Sequence, residues 1–209
     1  GVGAGSDFIQ ICKQCKHAYG IDLTEAAINL TKERCDLEGL NNFTLQRVNA
    51  EKLPFDDNFF DNIYSYGVIH HAPNTMSILS EIKRVSKPGA KIRIMVYSNF
   101  SLTGMMLYLL KGFFRLNIFV SQEKIIYDHL ESPGTKSYSP RELHKILNSF
   151  GFKKIKIEKK LGSGDLLLFE PSKKYERNFI FPILFKIYPR FILKHFNFLG
   201  LLLMAEFEK

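Results

Sequence analysis

Apolar positions recur at helical spacing directly after a glycine-rich opening, at Phe8, Ile9, Ile11, Cys12 and Cys15, and predict a helix over Asp7–Lys16 capped by Ser6 or Asp7. His17–Leu23 is short and mostly apolar, a buried strand that finishes on the acidic Asp22. Thr24 is the expected N-cap of a second helix, which carries Ala26, Ala27, Ile28 and Leu30 and ends near Gly39. A strand over Phe43–Val48, a loop over 49–58, a strand from Phe59 to Tyr66, a helix over Met76–Val85 closed by Lys87-Pro88-Gly89, and a strand over Lys91–Tyr97 follow. Strands and helices in strict alternation predict a parallel sheet with helices on both faces.

Residues 101–131 interrupt the rhythm with an apolar helical run, Met105, Met106, Leu107, Leu109, Leu110, Phe113 and Phe114, and then a more polar stretch. The alternation resumes at Ser139-Pro140-Arg141-Glu142, a capping box with proline in the first helical position, and that helix stops at Gly151. Phe152–Lys160 alternates Ile155 and Ile157 with Lys154, Lys156 and Lys160, as suits a charged sheet edge. Short helices over 175–196 and a last strand over Leu199–Phe207 complete the chain. The segment 179–205 is apolar, but Lys186, Arg190, Lys194 and His195 interrupt it and Pro182 and Pro189 break it, which argues against a membrane span. With no repeat and no linker, the pattern gives one domain over 1–209: a ligand-binding half (1–100), an apolar insertion or lid (101–138) and C-terminal helices and edge strands (139–209).

Composition changes this picture little. At 209 residues, 45% hydrophobic and 24% charged, the chain can bury a full core. Its net charge of +8 fits an anionic ligand, nucleic acid or an anionic membrane surface equally. Three cysteines, an odd number, argue against a disulfide framework. Cys12 and Cys15 form a C-x-x-C, but both fall inside the first expected helix and no second ligand pair exists, so they read as structural.

Candidate chemistry gathers at strand ends. Gly1, Gly3 and Gly5 leave backbone N–H groups open to a ligand at a strand-to-helix turn. Asp22, at the end of the next strand, can accept both ribose hydroxyls of a nucleoside lying over that turn, or merely cap the helix at Thr24. Dinucleotide oxidoreductases and methyltransferases both use such a geometry. Asn49-Ala50-Glu51-Lys52-Leu53-Pro54-Phe55, then Phe59-Phe60-Asp61-Asn62-Ile63-Tyr64-Ser65, Val68-Ile69-His70-His71 and Arg84-Val85-Ser86-Lys87-Pro88-Gly89-Ala90 decide between them. In that order and spacing they resemble the class I S-adenosylmethionine-dependent methyltransferases, within them the small-molecule type 11 family, from Gly1 to about Tyr97 and weakly to Phe152.

The resemblance implies a Rossmann-like, doubly wound, mostly parallel α/β sheet with an antiparallel C-terminal strand, and S-adenosylmethionine as cofactor. Gly1, Gly3 and Gly5 would underlie its methionine part, Asp22 would take the ribose and Leu23 would pack on the adenine. Asn49, where the family usually has Asp, would meet the adenine amino group with Ala50 and Glu51 beside it. Ser65, Tyr66 and Gly67 would line the amino-acid end. It also implies a central strand before Gly1, so the chain reads as a fragment whose parent binds the cofactor while these residues alone bind it poorly.

Methyl transfer by in-line displacement needs positioning more than acid–base machinery. A hydroxyl acceptor would still gain from a base, for which His70 and His71 are candidates, with packing or capping as the alternative. Neither their spacing nor nearby carboxylates suggest a metal site. Tyr97, Tyr138 and His129 are within plausible reach of an acceptor. The apolar runs 102–114 and 179–198 suit a small hydrophobic or lipid-like acceptor, peripheral contact of a cytoplasmic protein with the inner face of a membrane through Lys186, Arg190 and Lys194, or simple core packing. RNA methylation is disfavoured for want of a base-amine loop and an RNA-binding module, and DNA is not expected. A cofactor-binding or membrane-associated scaffold without catalysis is the non-enzymatic alternative, and the oligomeric state stays open.

Overall fold

The computed structural model describes residues 1–168, 186 and 188–209. Helix α1 (Ser6–Cys12) follows the glycine turn, β1 (Ala18–Asp22) and β2 (Phe43–Arg47) pair in parallel, and α2 (Glu25–Leu37) connects them. Thr24 caps α2 by accepting from the Ala27 N–H, as expected, and Gly39 takes a positive φ of 68° just past its end. This unit has its own core of Phe8, Ile9, Cys12, Ala18 and Cys35.

The first helix is shorter than its apolar periodicity suggested. The Asn42 amide donates to the Cys12 and Cys15 carbonyls at 2.8 and 2.9 Å, satisfying the last helical carbonyl and the turn after it, so the helix stops at Cys12. Cys15 is therefore exposed outside the helix, whereas Cys12 and Cys35 are buried.

The second sheet contains β3 (Phe60–Tyr66), β4 (Ser86–Ser98), β7 (Leu202–Glu208) and β6 (Lys153–Lys160) in that spatial order, with the two-residue β5 (Ser137–Tyr138) against the end of β4. β3, β4 and β5 are parallel, and β7 runs antiparallel to both its neighbours. The charged strand β6 lies at the sheet edge as its pattern predicted, with Lys154 paired to Glu208 and Lys156 to Glu158. β1 and β3 share no backbone hydrogen bonds and meet through side chains, the Tyr19 ring lying 5.6 Å from Phe60.

Helices α3 (Thr75–Val85) and α6 (Pro140–Ser149) cover one face of this sheet. Ile78, Leu79 and Ile82 of α3 and Leu143 and Leu147 of α6 pack on Ile92, Ile94, Val96, Leu203 and Phe207. The capping box at Ser139 and Glu142 forms, and Gly151 (φ 76°) ends that helix. Lys87-Pro88-Gly89 is not the loop that its residues suggested. Ser86 already pairs with Phe60, the Gly89 N–H donates to the Lys209 carbonyl, and a register shift between Phe60 and Asn62 absorbs the irregularity, so β4 begins where α3 ends. The apolar run after β4 folds as α4 (Leu102–Lys111) against α5 (Gln122–His129). Of the short helices expected over 175–196, α7 (Arg190–Leu193) is seen, and 175–185 and 187 lie outside the described residues. No described helix is long and apolar enough to cross a membrane.

Candidate active site

The opening glycines do three different things. Gly5 (φ 80°) sits at the N-cap of α1, buried against α2, where a Cβ would lie 2.9 Å from Thr31 Oγ1 and 3.2 Å from its Cα; this glycine makes room for a helix. Gly3 (φ 53°) faces open space, with nothing within 4 Å of where a Cβ would be, and so leaves room for a ligand's approach. Gly1 lies against Asp22 and Val68. The turn is fastened from below by the Thr31 hydroxyl, which donates to the Gly3 carbonyl at 3.2 Å, and by the Arg34 guanidinium on the Ala4 carbonyl.

Asp22 ends β1 beside that turn. Its Oδ2 accepts from the Gly3 N–H at 3.1 Å and its Oδ1 from the N–H and hydroxyl of Thr24, both at 3.0 Å. Partial burial would raise this carboxyl, but the donated hydrogen bonds from Thr24 and Gly3 prevail and hold it below the usual value, ionised. The helix-capping and ligand-facing readings of Asp22 are thus compatible: two oxygens offer about four acceptor positions, of which three are used. Leu23 next to it is 66% exposed and available as an apolar platform.

The other expected residues are fixed by neighbours. Asn49 Oδ1 accepts from the Glu51 N–H at 3.0 Å, closing a local turn, and Glu51 Oε1 accepts from the Asn74 N–H at 2.8 Å, tying this loop to the start of α3. Ala50 packs on the main core. Ser65 and Tyr66 end β3, Tyr66 stacks beside Tyr64, and Gly67 (φ 72°) turns the chain while donating to the Met95 carbonyl. Arg84 clamps the loop from beneath, donating to the Leu53 and Phe55 carbonyls and pairing with Asp57 and Glu81. This clamp is the structural role of Arg84 within the Arg84–Ala90 motif.

His70 and His71 follow β3 in a short 3-10 turn (Ile69–His71), and the structure separates their environments. His70 is fully buried, its ring tilted at 37° against that of Tyr97 with centroids 4.1 Å apart, and both ring nitrogens lack a hydrogen-bond partner. Burial, then His71, pushes its pKa down to about 3, so it is a neutral imidazole. His71 is partly exposed, its Nε2 3.0 Å from Glu131 Oε2 and its Nδ1 3.2 Å from the Thr135 hydroxyl. Glu131 Oε1 accepts from the Tyr97 hydroxyl at 2.5 Å. No spacing in the sequence links Glu131 or Thr135 to the histidines. The segment 131–138 is folded over the His turn by backbone and side-chain bonds: the Lys136 N–H donates to the His70 carbonyl, and its ammonium to the Ala72 and Pro73 carbonyls. Of the remaining candidates, the Tyr138 hydroxyl is buried on Thr75 and His129 is exposed at the end of α5.

Comparison with known proteins agrees with this layout. Residues 1–94 match the family described as "Methyltransferase domain". Demethylmenaquinone methyltransferase of Geobacillus stearothermophilus is 37% identical over 71 residues, covering 34% of this chain and 30% of that protein. Phthiotriol/phenolphthiotriol dimycocerosates methyltransferase of Mycobacterium tuberculosis is 36% identical over 89 residues, covering 43% of this chain and 32% of that protein. The matches thus span about a third of the length of these relatives. In fold, a SAM-dependent methyltransferase of Aquifex aeolicus aligns with a TM-score of 0.56 at 23% identity over 78% of this chain and 74% of its own. One from Archaeoglobus fulgidus aligns with a TM-score of 0.60 at 16% identity over 100% of this chain and 83% of its own. Residues 1–94 are thus similar in sequence to the methyltransferase-domain family, and the chain shares the fold of S-adenosylmethionine-dependent methyltransferases.

Proposed function

We propose that the protein transfers a methyl group from S-adenosylmethionine to a small, lipid-like acceptor by in-line displacement. The observation that carries this reading is the ionised Asp22 carboxylate beside the open face of the Gly3 turn, at the carboxyl end of β1, where α/β sheets take their ligands. One ribose hydroxyl would donate to the acceptor position left on Asp22, the adenine would lie over Leu23 near Asn49, and the sulfonium end would run past Gly1 and Gly3 toward Ser65, Tyr66 and Gly67. In-line attack then needs an acceptor held on the far side of the methyl group and water kept out. The His71–Glu131 pair after β3 would supply the proton acceptor that an acceptor hydroxyl needs.

A lipid-like acceptor is supported by the relatives, whose names record quinone and phthiotriol substrates, and by the loop after α4. There Phe114, Leu116 and Phe119 are exposed at 71%, 90% and 95%, with Lys111 and Arg115 alongside. Such a surface suits contact with an apolar ligand or the edge of an anionic bilayer. The test is calorimetric titration of the full-length protein with S-adenosylmethionine. Asp22→Ala is expected to weaken binding at least about tenfold, the worth of one hydrogen bond to a charged group. Unchanged affinity would remove the ribose assignment.

A further inference from the structure

We propose that His70, His71 and Glu131 form a binding site for a zinc-class divalent cation. One ligand atom from each of the three lies within 4.8 Å of the others. Two imidazoles and a carboxylate are a donor set that such ions take, leaving a coordination position open to water or an acceptor oxygen.

Hydrogen-bond accounting supplies the argument. The Thr135 hydroxyl donates to the Ser132 carbonyl at 2.7 Å, which commits its proton. What Thr135 offers the His71 Nδ1, 3.2 Å away, is therefore a lone pair, and Nδ1 must carry the hydrogen. In neutral His71 the Nε2 lone pair then points at Glu131 Oε2 from 3.0 Å, two electron-rich atoms that repel unless a positive charge lies between them. The other carboxylate oxygen is occupied by the Tyr97 hydroxyl, so Oε2 is the one left for that charge. His70 completes the set. It is 0% exposed, its two nitrogens have no partner, and a neutral buried imidazole without one carries a desolvation cost that a metal bond would offset.

Thr135 on His71 and Tyr97 on Glu131 are the outer contacts that orient ligands in metal sites. Bonds of about 2.0–2.2 Å in a tetrahedron place ligand atoms roughly 3.3–3.6 Å apart, so the His71–Glu131 pair at 3.0 Å has to open slightly and the longest separation, at most 4.8 Å, to close by about 1 Å, both within reach of side-chain rotation at the partly exposed His71 and Glu131. Those two also provide the route for entry. The backbone at Glu131 (φ 58°) is in the left-handed region, a conformation held by the closure of 131–136 over the His turn.

The occupant is tested on the chelator-treated full-length protein by titration with Zn²⁺ and with Co²⁺ as its visible surrogate. No cofactor or acceptor is present, so the result is independent of the methyl-transfer reading. The expected result is one equivalent bound, a cobalt d–d spectrum without a thiolate charge-transfer band, at least tenfold weaker binding in Glu131→Gln and in His71→Ala, and about tenfold weaker in Thr135→Ala. His71→Ala and Glu131→Gln lie on the accessible rim, so the test does not depend on a His70 variant folding. No saturable uptake would overturn the proposal and assign the charge to a proton on His71. Uptake that survives His71→Ala combined with Glu131→Gln, or that shows a thiolate band from Cys12, Cys15 or Cys35, would overturn it as well.

Discussion

Substituting Gly5 by alanine is expected to damage the fold, and substituting Gly3 only the site, although the two glycines are separated by one residue in one turn. At Gly5 two costs add. A φ of 80° is unfavourable for any residue with a Cβ, worth about 1–2 kcal/mol. The new methyl would also lie 2.9 Å from Thr31 Oγ1, 3.0 Å from Cγ2 and 3.2 Å from Cα, and since the last is backbone of α2 the helix itself must move, an overpacking cost of about 1–3 kcal/mol. The sum is about 2–5 kcal/mol, or a fall in Tm of roughly 5–15 °C for a domain of this size. At Gly3 the φ of 53° is closer to the left-handed minimum and nothing obstructs the methyl, so the expected loss is about 1 kcal/mol, roughly 2–4 °C. Differential scanning fluorimetry on both variants checks the stability ranking, and titration with S-adenosylmethionine checks whether Gly3→Ala binds more weakly. Equal Tm values, or Gly3→Ala the less stable, would refute the assignment of Gly5 to helix packing.

Asp165 is fully buried and accepts from the Thr103 N–H and hydroxyl, the Gly162 N–H and the Leu201 N–H at 2.7–3.0 Å; Asp165→Ala strands all four donors and should cost at least about 3 kcal/mol in chemical denaturation. Of the three thiols, exposed Cys15 should react with Ellman's reagent rapidly at pH 8, while Cys12, whose pKa burial and then Cys35 push up to about 11, and buried Cys35 should react only on unfolding. Asp22 has a folded pKa below its ordinary 3.8, so its hydrogen bonds stabilise the fold above that value and the contribution is lost as pH falls through the lower folded value. The Tm difference between the wild-type protein and Asp22→Asn should accordingly be constant from pH 7 to 5 and vanish on the acid side of 3.8. Phe114→Ser with Phe119→Ser should lower cosedimentation with anionic vesicles without lowering Tm, since both rings are exposed; unchanged cosedimentation would remove the bilayer reading of this loop.

What the sequence determined by itself was local. Helix and strand identities follow from periods of 3.6 and 2, and their ends from short-range chemistry: Thr24, Asn74, Ser101, Ser121 and Ser139 each cap a helix through a backbone N–H a few residues on. The glycine turn and Asp22 were legible for the same reason, because their positions relative to a strand end are set within the βα unit that contains them. Where periodicity failed, at Cys15 and at Lys87–Gly89, the deciding bonds came from Asn42, Phe60 and Lys209, remote in sequence. Only the tertiary structure distinguished Gly5 from Gly3, since the difference lies in what α2 places above each. Only it gave Arg84 its loop, Asp165 its four donors, and the His turn its carboxylate. Glu131 lies 60 residues from His71 and reaches it because β5 lies against the end of β4 and draws the preceding segment across the turn. No local pattern encodes that meeting: it depends on strand order in the sheet, which the packing of the whole chain selects.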